Sequence, residues 1–329
     1  MNLKKEFNWP ETEVLVIGGT GSLGKTITRQ LLNIYKPKGI RIFSRDELKQ
    51  WQFRNELARE GFDSGISWLL GDVRDRERIA RAMNRATLVF NTAAMKQVPA
   101  CEDNPFEAIK TNIIGAQNII DGAIDNHVPL TMHVSTDKAV YPVNLYGGTK
   151  QVAEKLFMHG NVYTGAHGVA FSACRYGNVI GSRGSILPLF REQVRSGGKI
   201  TLTDPSMTRF WIDLPTVADF IIRAATITTG REIFVPVMPA SLITDVIKAF
   251  ETIYDKECPV EIIGIRPGEK IHECLITEEE SVGVVVGKKM FVISDCDGGG
   301  SRWTYTSENA ERLSVSQIIS LIRKWEETE

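Results

Sequence analysis

No uncharged apolar run in this chain is long enough to cross a bilayer, so a membrane-spanning helix is excluded. The apolar run that follows Lys4, Lys5 and Glu6 is Val14–Ile17, too short for a secretory signal core. Cysteine is sparse and unpatterned. The five residues, at 101, 174, 258, 274 and 296, are odd in number and lack Cys-x-x-Cys spacing, so neither a disulfide framework nor a zinc cage is indicated. Buried thiols in a reducing cytoplasm are expected. Excess charge is missing too: 39 Lys and Arg face 40 Asp and Glu. That balance gives no basic field for nucleic acid or an anionic membrane, so any anionic ligand must be met by local arginines and backbone amides. Internal repeats, low-complexity tracts, metal-ligand clusters and the Gly-x-Ser-x-Gly elbow of a hydrolase are likewise absent.

What is present is an alternation of apolar runs and helical patterns across 329 residues, enough chain for a large domain with an appended lobe. Glu13–Ile17 reads as a strand that ends in Gly18-Gly-Thr-Gly21-Ser-Leu-Gly24, and Ile27, Leu31 and Leu32 then recur at helical spacing. Strand, glycine turn and helix form a phosphate-cradling unit. Gly18 permits the turn, Gly21 lets backbone approach a pyrophosphate, and Gly24 lets helix and strand pack. A second strand, Gly39–Phe43, ends at Ser44-Arg45-Asp46, where a carboxylate suits the ribose diol of NAD and a hydroxyl with a guanidinium suits a 2′-phosphate. The reading favours NADP, with NAD possible because Asp46 is close. Ser44 and Asp46 as mere caps of the helix 47–59 fit either cofactor. After the strand Ile66–Leu70, Asp72 and Val73 flank an adenine, unless Asp72 only caps the following helix. Ala86–Phe90 leads into Asn91-Thr-Ala-Ala94, and residues 104–126 read as one long amphipathic helix.

The strand Leu130–Val134 delivers Ser135-Thr136-Asp137-Lys138 to the carboxyl edge of the sheet, where open parallel sheets bind ligands. Tyr146 and Lys150 follow four residues apart, on one face of a helix that starts near Asn144. A cation beside a phenol favours the phenolate, so Lys150 is expected to lower the pKa of Tyr146. His133, inside an apolar strand, reads as a core or supporting histidine; His127, His159, His167 and His272 are scattered. The expected fold is α/β, a Rossmann-like doubly wound parallel sheet with a smaller C-terminal α/β lobe. Residues 1–175 form the dinucleotide domain, with 213–236 returning to it, and 176–212 and 237–329 form the substrate lobe. Arg209 and Arg266 sit in loops, where each could grip a diphosphate or merely pair at the surface.

Taken together, the glycine triplet, the Tyr-x-x-x-Lys pair and the second lobe resemble the extended short-chain dehydrogenase/reductases acting on nucleotide sugars. The runs Ala94-Met-Lys-Gln-Val-Pro99, Ser135-Thr-Asp-Lys-Ala139, Arg175-Tyr-Gly-Asn-Val-Ile-Gly-Ser-Arg-Gly184, Met207-Thr-Arg-Phe-Trp211 and Arg266-Pro-Gly-Glu-Lys270 are similar to the soluble, C5-inverting UDP-N-acetylglucosamine 4,6-dehydratases. The resemblance implies that Tyr146, with Lys150 and Thr136, takes the 4-hydroxyl proton as hydride leaves C4, that Lys138 removes the C5 proton, and that Asp137 protonates the departing 6-hydroxyl. Hydride then returns to C6. It implies a dinucleotide lined by Gly18, Thr20, Gly21, Ser22, Leu23 and Gly24, by Ser44, Arg45, Asp72 and Val73, and by Ala93, Lys150 and Tyr176. Lys96 and Asn178 would lie near the sugar, Arg209 and Arg266 near the diphosphate, and Glu269 near the uridine ribose. The implied partners are UDP-N-acetylglucosamine or a close UDP-HexNAc and a second copy of the chain, as homodimer or higher homo-oligomer. A 5,6-dehydratase, a C4 epimerase and a non-catalytic NADP sensor are the alternatives. Two departures stand out: the familiar runs have Asn at Tyr141 and Ala at Gly148. Tyr141, bulky and beside the acid-base pair, is expected to influence substrate choice or the face of C5 reprotonation.

Overall fold

The computed structural model describes residues 7–165, 168–182, 185–294 and 301–327; His167, Cys296 and the Arg183-Gly184 dipeptide lie outside them. Six parallel strands, β1 (Glu13–Ile17), β2 (Gly39–Ser44), β3 (Ile66–Leu70), β4 (Leu88–Asn91), β5 (Leu130–Val134) and β6 (Ala170–Cys174), lie in the order 3-2-1-4-5-6. The strand apolarity has a simple cause. Val14 and Val16 join one buried cluster with Ile27 and Phe53, while Leu15 and Ile17 join another with Ile119 and Phe157. Both faces of the sheet are therefore covered, so alternation disappears and every position of β1 is apolar after Glu13. Each such side chain contributes on the order of 1.5–3 kcal/mol by leaving water.

The covering helices are α1 (Ser22–Gln30), α2 (Glu47–Arg59), α3 (Arg76–Met83), α4 (Val98–Asp103), α5 (Pro105–Ile109), α6 (Gly115–Asp125) and α7 (Leu145–Tyr163), followed by a helix over Leu214–Ile227. Asp46, Asp75 and Asn144 start three of them by accepting backbone N–H groups three residues on, at Lys49, Arg78 and Gly147. Residues 104–126 are not one uniform helix. A five-residue π turn, Lys110–Ile114, separates α5 from α6 and presents Asn112 inward, where it bonds the Met95 backbone through both ends of its amide and reaches Thr149.

Ile233–Pro236 pairs in parallel with β6, so the chain does re-enter the main sheet. The expected division is nevertheless too clean, because Met290–Ile293 and Val284–Val286, inside the stretch assigned to the smaller lobe, extend the same sheet antiparallel to nine strands. Their apolar faces pack on the core around Phe234 and Tyr305. The lobe has its own core of Phe190, Trp211, Ile247, Phe250 and Ile322. Among the described residues no helix is long and apolar enough to cross a membrane, no metal-ligating cluster is found, and four cysteines are buried free thiols.

Candidate active site

Strand order reverses between β1 and β4, and a cavity of about 740 Å³ opens there, at the carboxyl ends of the strands. The glycine turn forms its floor by close approach. Gly18 has φ +77°, and a Cβ on it would stand 2.7 Å from the Ala93 nitrogen; one on Gly24 would stand 2.6 Å from the Gly18 carbonyl oxygen. Gly21 offers no side-chain cap to α1, so the first amides of that helix are left for an anion in the cavity. Thr20, Ser22, Leu23, Val73, Ala93 and Tyr176 line it.

At its far end Ser44, Arg45, Asp46 and Asp72 meet. Asp46 caps α2 and pairs with Lys49, so its carboxylate is already engaged. Ser44 does not cap; its hydroxyl accepts from Gln50 Nε2 at 3.1 Å. Asp72 does not cap α3 either, that being the role of Asp75, and instead holds Arg74 at 2.7 Å and stands 3.8 Å from Arg45. Arg45 is the exposed cation of the group.

The chemistry-bearing residues gather where β5 hands over to α7. Thr136, Lys138, Tyr146 and Lys150 all line the cavity, with Lys96 and Asn178 across from them. Asp137 is fully buried behind Lys138, which donates to Asp137 Oδ1 at 3.0 Å and to Asn178 Oδ1 at 3.4 Å. Burial raises the Asp137 carboxyl above its ordinary range; Lys138 opposes this and a second carboxylate, Glu273, adds to it. The same two carboxylates more than offset desolvation of Lys138 and raise its pKa.

Glu273 was invisible as a functional residue in the sequence. It is 3% exposed and stands 3.4 Å from Lys138, 3.1 Å from Lys270 and 3.8 Å from Arg209. Burial pushes its carboxyl up, yet these three cations outweigh burial and hold it well below the usual range. The one available signal was its place just beyond the Arg266-Pro-Gly-Glu-Lys270 run, three residues past Lys270.

The Tyr146 expectation needs correction. Burial raises its pKa to about 12, and the groups that pull it down are Lys138 and the Thr136 hydroxyl, not Lys150. Lys150 Nζ is turned instead to His133 Nε2 at 3.0 Å and to the Val134 carbonyl at 2.6 Å, and burial lowers its own pKa to about 8. His133 is a supporting histidine in fact, lying between Lys150 and Asn91.

Three expected substrate contacts lie outside the cavity lining. Arg209 is occupied by the carbonyls of Thr208, Lys270 and Ile271, at 2.7 to 3.0 Å, and Arg266 is exposed. Glu269 is half-buried, and its Oε2 has no hydrogen-bond partner among the described residues. Tyr141 also points away from the cavity. Its hydroxyl donates to Glu279 Oε2 at 3.1 Å, and its backbone is left-handed, φ +46°. The conformation accounts for the Asn of the familiar runs, which tolerates it, and the tyrosine here is strained in it.

The chain resembles known proteins over most of its length. The model of a family described as polysaccharide biosynthesis protein matches residues 14–295. A UDP-N-acetylglucosamine 4,6-dehydratase (inverting) of Campylobacter jejuni is 46% identical over 269 residues, covering 82% of this chain and 78% of that one. A UDP-glucose 4-epimerase of Rickettsia prowazekii is 36% identical, with 94% of each chain covered. Among solved structures, Pen from Bacillus thuringiensis superposes with TM-score 0.90 at 37% identity, over 97% of this chain and 99% of that one.

Proposed function

The chain belongs to the polysaccharide biosynthesis protein family, and from that premise we propose that it is a dinucleotide-dependent lyase that dehydrates UDP-N-acetylglucosamine to a UDP-4-keto-6-deoxy-N-acetylhexosamine, with inversion at C5. The observation that carries this reading is the buried Asp137–Lys138–Glu273 cluster beside Tyr146. Oxidation at C4 alone needs a base for one hydroxyl proton. Elimination of water needs a second base for C5 and an acid for the leaving hydroxyl.

A bound nicotinamide supplies the hydride acceptor for C4 and the donor for C6. Tyr146 takes the 4-hydroxyl proton, aided by the Thr136 hydroxyl and the positive field of Lys138. The 4-ketone makes the C5 proton acidic; Lys138, at the cavity wall, passes one of its own protons to Asp137 Oδ1, 3.0 Å away, and as the amine so formed takes the proton from C5. Asp137, holding the proton passed from Lys138, with burial and Glu273 favouring its protonated form, supplies it to the departing 6-hydroxyl. Lys96 and Asn178 hold the sugar, while Arg209, Arg266 and Glu269 serve the nucleotide end; the unpartnered Glu269 Oε2 suits a ribose hydroxyl.

NADP is the favoured cofactor. The first acid after β2, Asp46, is spent on α2, which leaves Ser44 and the exposed Arg45 for a 2′-phosphate. A homodimer or a multiple of it, in the cytoplasm, completes the reading; Phe106, Val152 and Tyr163 lie exposed on α5 and α7, where a second copy would cover them.

The test incubates purified protein with UDP-N-acetylglucosamine and follows loss of one water by mass spectrometry. An unchanged mass, with or without added NADP, rejects the proposal. The epimerase likeness supports a second reading, C4 epimerisation, which needs Tyr146 and Lys150 but no elimination pair. NMR of the product, run in deuterated water, separates the two and reports C5 configuration, and it also shows a 5,6-dehydratase product if one forms.

A further inference from the structure

Lys150 is contacted by a buried histidine whose hydrogen position the surrounding atoms dictate. Asn91, at the end of β4, accepts the Ala93 N–H through Oδ1 at 3.2 Å, which leaves Nδ2 facing His133 Nδ1 at 3.0 Å. Nδ2 can only donate, so Nδ1 must accept. A neutral imidazole with a bare Nδ1 carries its hydrogen on Nε2, 3.0 Å from Lys150 Nζ. An ammonium has no lone pair to receive that hydrogen; a neutral amine does, and it can still donate to the Val134 carbonyl at 2.6 Å. The imidazolium is excluded twice over. It would set two donors against each other at Nδ1, and it would place a charge on a ring that is 1% exposed and stacked on Phe157 at 4.3 Å.

We propose that Asn91 and His133 are positioning residues that lock the imidazole as the Nε2–H tautomer, and thereby make Lys150 a proton acceptor during the reaction rather than a fixed cation. The proposal rests on Tyr146 being the base of the reaction described above. One proton moves: the Lys150 lone pair turns from His133 Nε2–H to the phenol, the Tyr146 O–H bond breaks with its electron pair left on the phenolate oxygen, and an N–H bond forms on Lys150; both residues line the cavity. The phenolate then takes the proton of the sugar hydroxyl as hydride leaves. Other charges near Lys150 leave room for this role. Glu154, one turn along α7, favours the ammonium but is itself paired with Arg175. Burial, the larger influence, favours the amine.

Histidine-selective ¹⁵N NMR of the full chain tests the lock without any turnover, the His133 signals being assigned by their loss in His133→Gln. A protonated Nε2 and bare Nδ1 are expected above about pH 8, where Lys150 is the amine. An Nδ1–H tautomer or an imidazolium in that range overturns the proposal. Asn91→Asp supplies a carboxylate that accepts from both Ala93 N–H and Nδ1–H, so the tautomer should reverse. Lys150 then stays an ammonium, and the pH at which reduced cofactor begins to form rises by about one unit or more. Reversal of the tautomer with no such shift rejects the role given to Lys150. Absent turnover of UDP-N-acetylglucosamine defeats the functional reading instead, and the NMR result still decides the lock.

Discussion

Lys138 and Lys150 lie on one stretch of chain and line one cavity, yet their surroundings push them in opposite directions. Lys150 is 3% exposed, meets an imidazole and a carbonyl, and has its pKa lowered to about 8. Lys138 stands against Asp137 and Glu273, and its pKa is raised. Desolvation acts on both. It wins where hydrogen-bond partners are neutral and loses where two carboxylates are within reach. The site therefore has a neutral half beside the glycine turn, fit for moving hydride and one proton, and an ionic half beside the smaller lobe, fit for elimination.

The sharpest way to separate the halves is kinetic. Lys138→Ala should lower dehydration by about 10²–10⁴-fold while transient reduced cofactor still forms, whereas Tyr146→Phe should abolish both signals. Stopped-flow absorbance of the nicotinamide, read beside product mass, distinguishes them; equal loss of the transient in both variants breaks the division.

Glu273→Gln attacks the ionic half through stability. Removing one member of a buried ionic cluster should cost about 3–5 kcal/mol, measured by denaturant titration at neutral pH. The sign with pH follows from the depressed carboxyl. Its contribution is complete above the ordinary carboxylate range and fades as pH falls toward the folded value, so wild type should lose its advantage over the variant on acidification.

Lys150→Met tests the neutral half in the alkaline range. A lysine lowered from 10.5 to about 8 makes folding dearer while it is charged, so wild-type stability should rise as pH climbs from about 8 toward 10.5, by roughly 3 kcal/mol. The variant should show no such rise in thermal melts over that interval.

The smallest effects belong to the two departures from the familiar runs. Tyr141→Asn relieves a left-handed tyrosine, and Gly148→Ala adds a Cβ that meets nothing within 4 Å in α7; each should stabilise by about 1 kcal/mol or less. Neither should alter product identity by NMR. A changed product in Tyr141→Asn would restore the residue to the active site.

Much of the neutral half was legible in the sequence, because its determinants are local. Three glycines in a turn, a tyrosine and lysine one helical turn apart, and an aspartate capping α2 are decided within a few residues. The Asp137–Lys138 pair was legible for the same reason. Glu273 and the task of His133 were not, since each depends on a contact between distant segments: Glu273 lies 135 residues beyond Lys138 in the chain, and His133 meets Asn91 across β4 and β5. Tyr141 was misread because proximity along the chain says nothing of direction, and the backbone turns its ring toward Glu279. The surroundings of Arg209 were equally hidden, its guanidinium donating to three backbone carbonyls, two of them from residues more than 60 positions away.

The strand order has a consequence for how the protein is made. Everything needed for the neutral half, from the glycine turn to Lys150, leaves the ribosome before the chain reaches Ile233–Pro236, the strand that flanks β6, and well before Glu273. At synthesis rates of about 5–20 residues per second the nascent domain spends several seconds able to build a nucleotide pocket while Asp137 and Lys138 still lack their counter-ion. A chain truncated in that interval is expected to keep the nucleotide pocket with Asp137 and Lys138 and to lack Glu273, the carboxylate that stands 3.4 Å from Lys138.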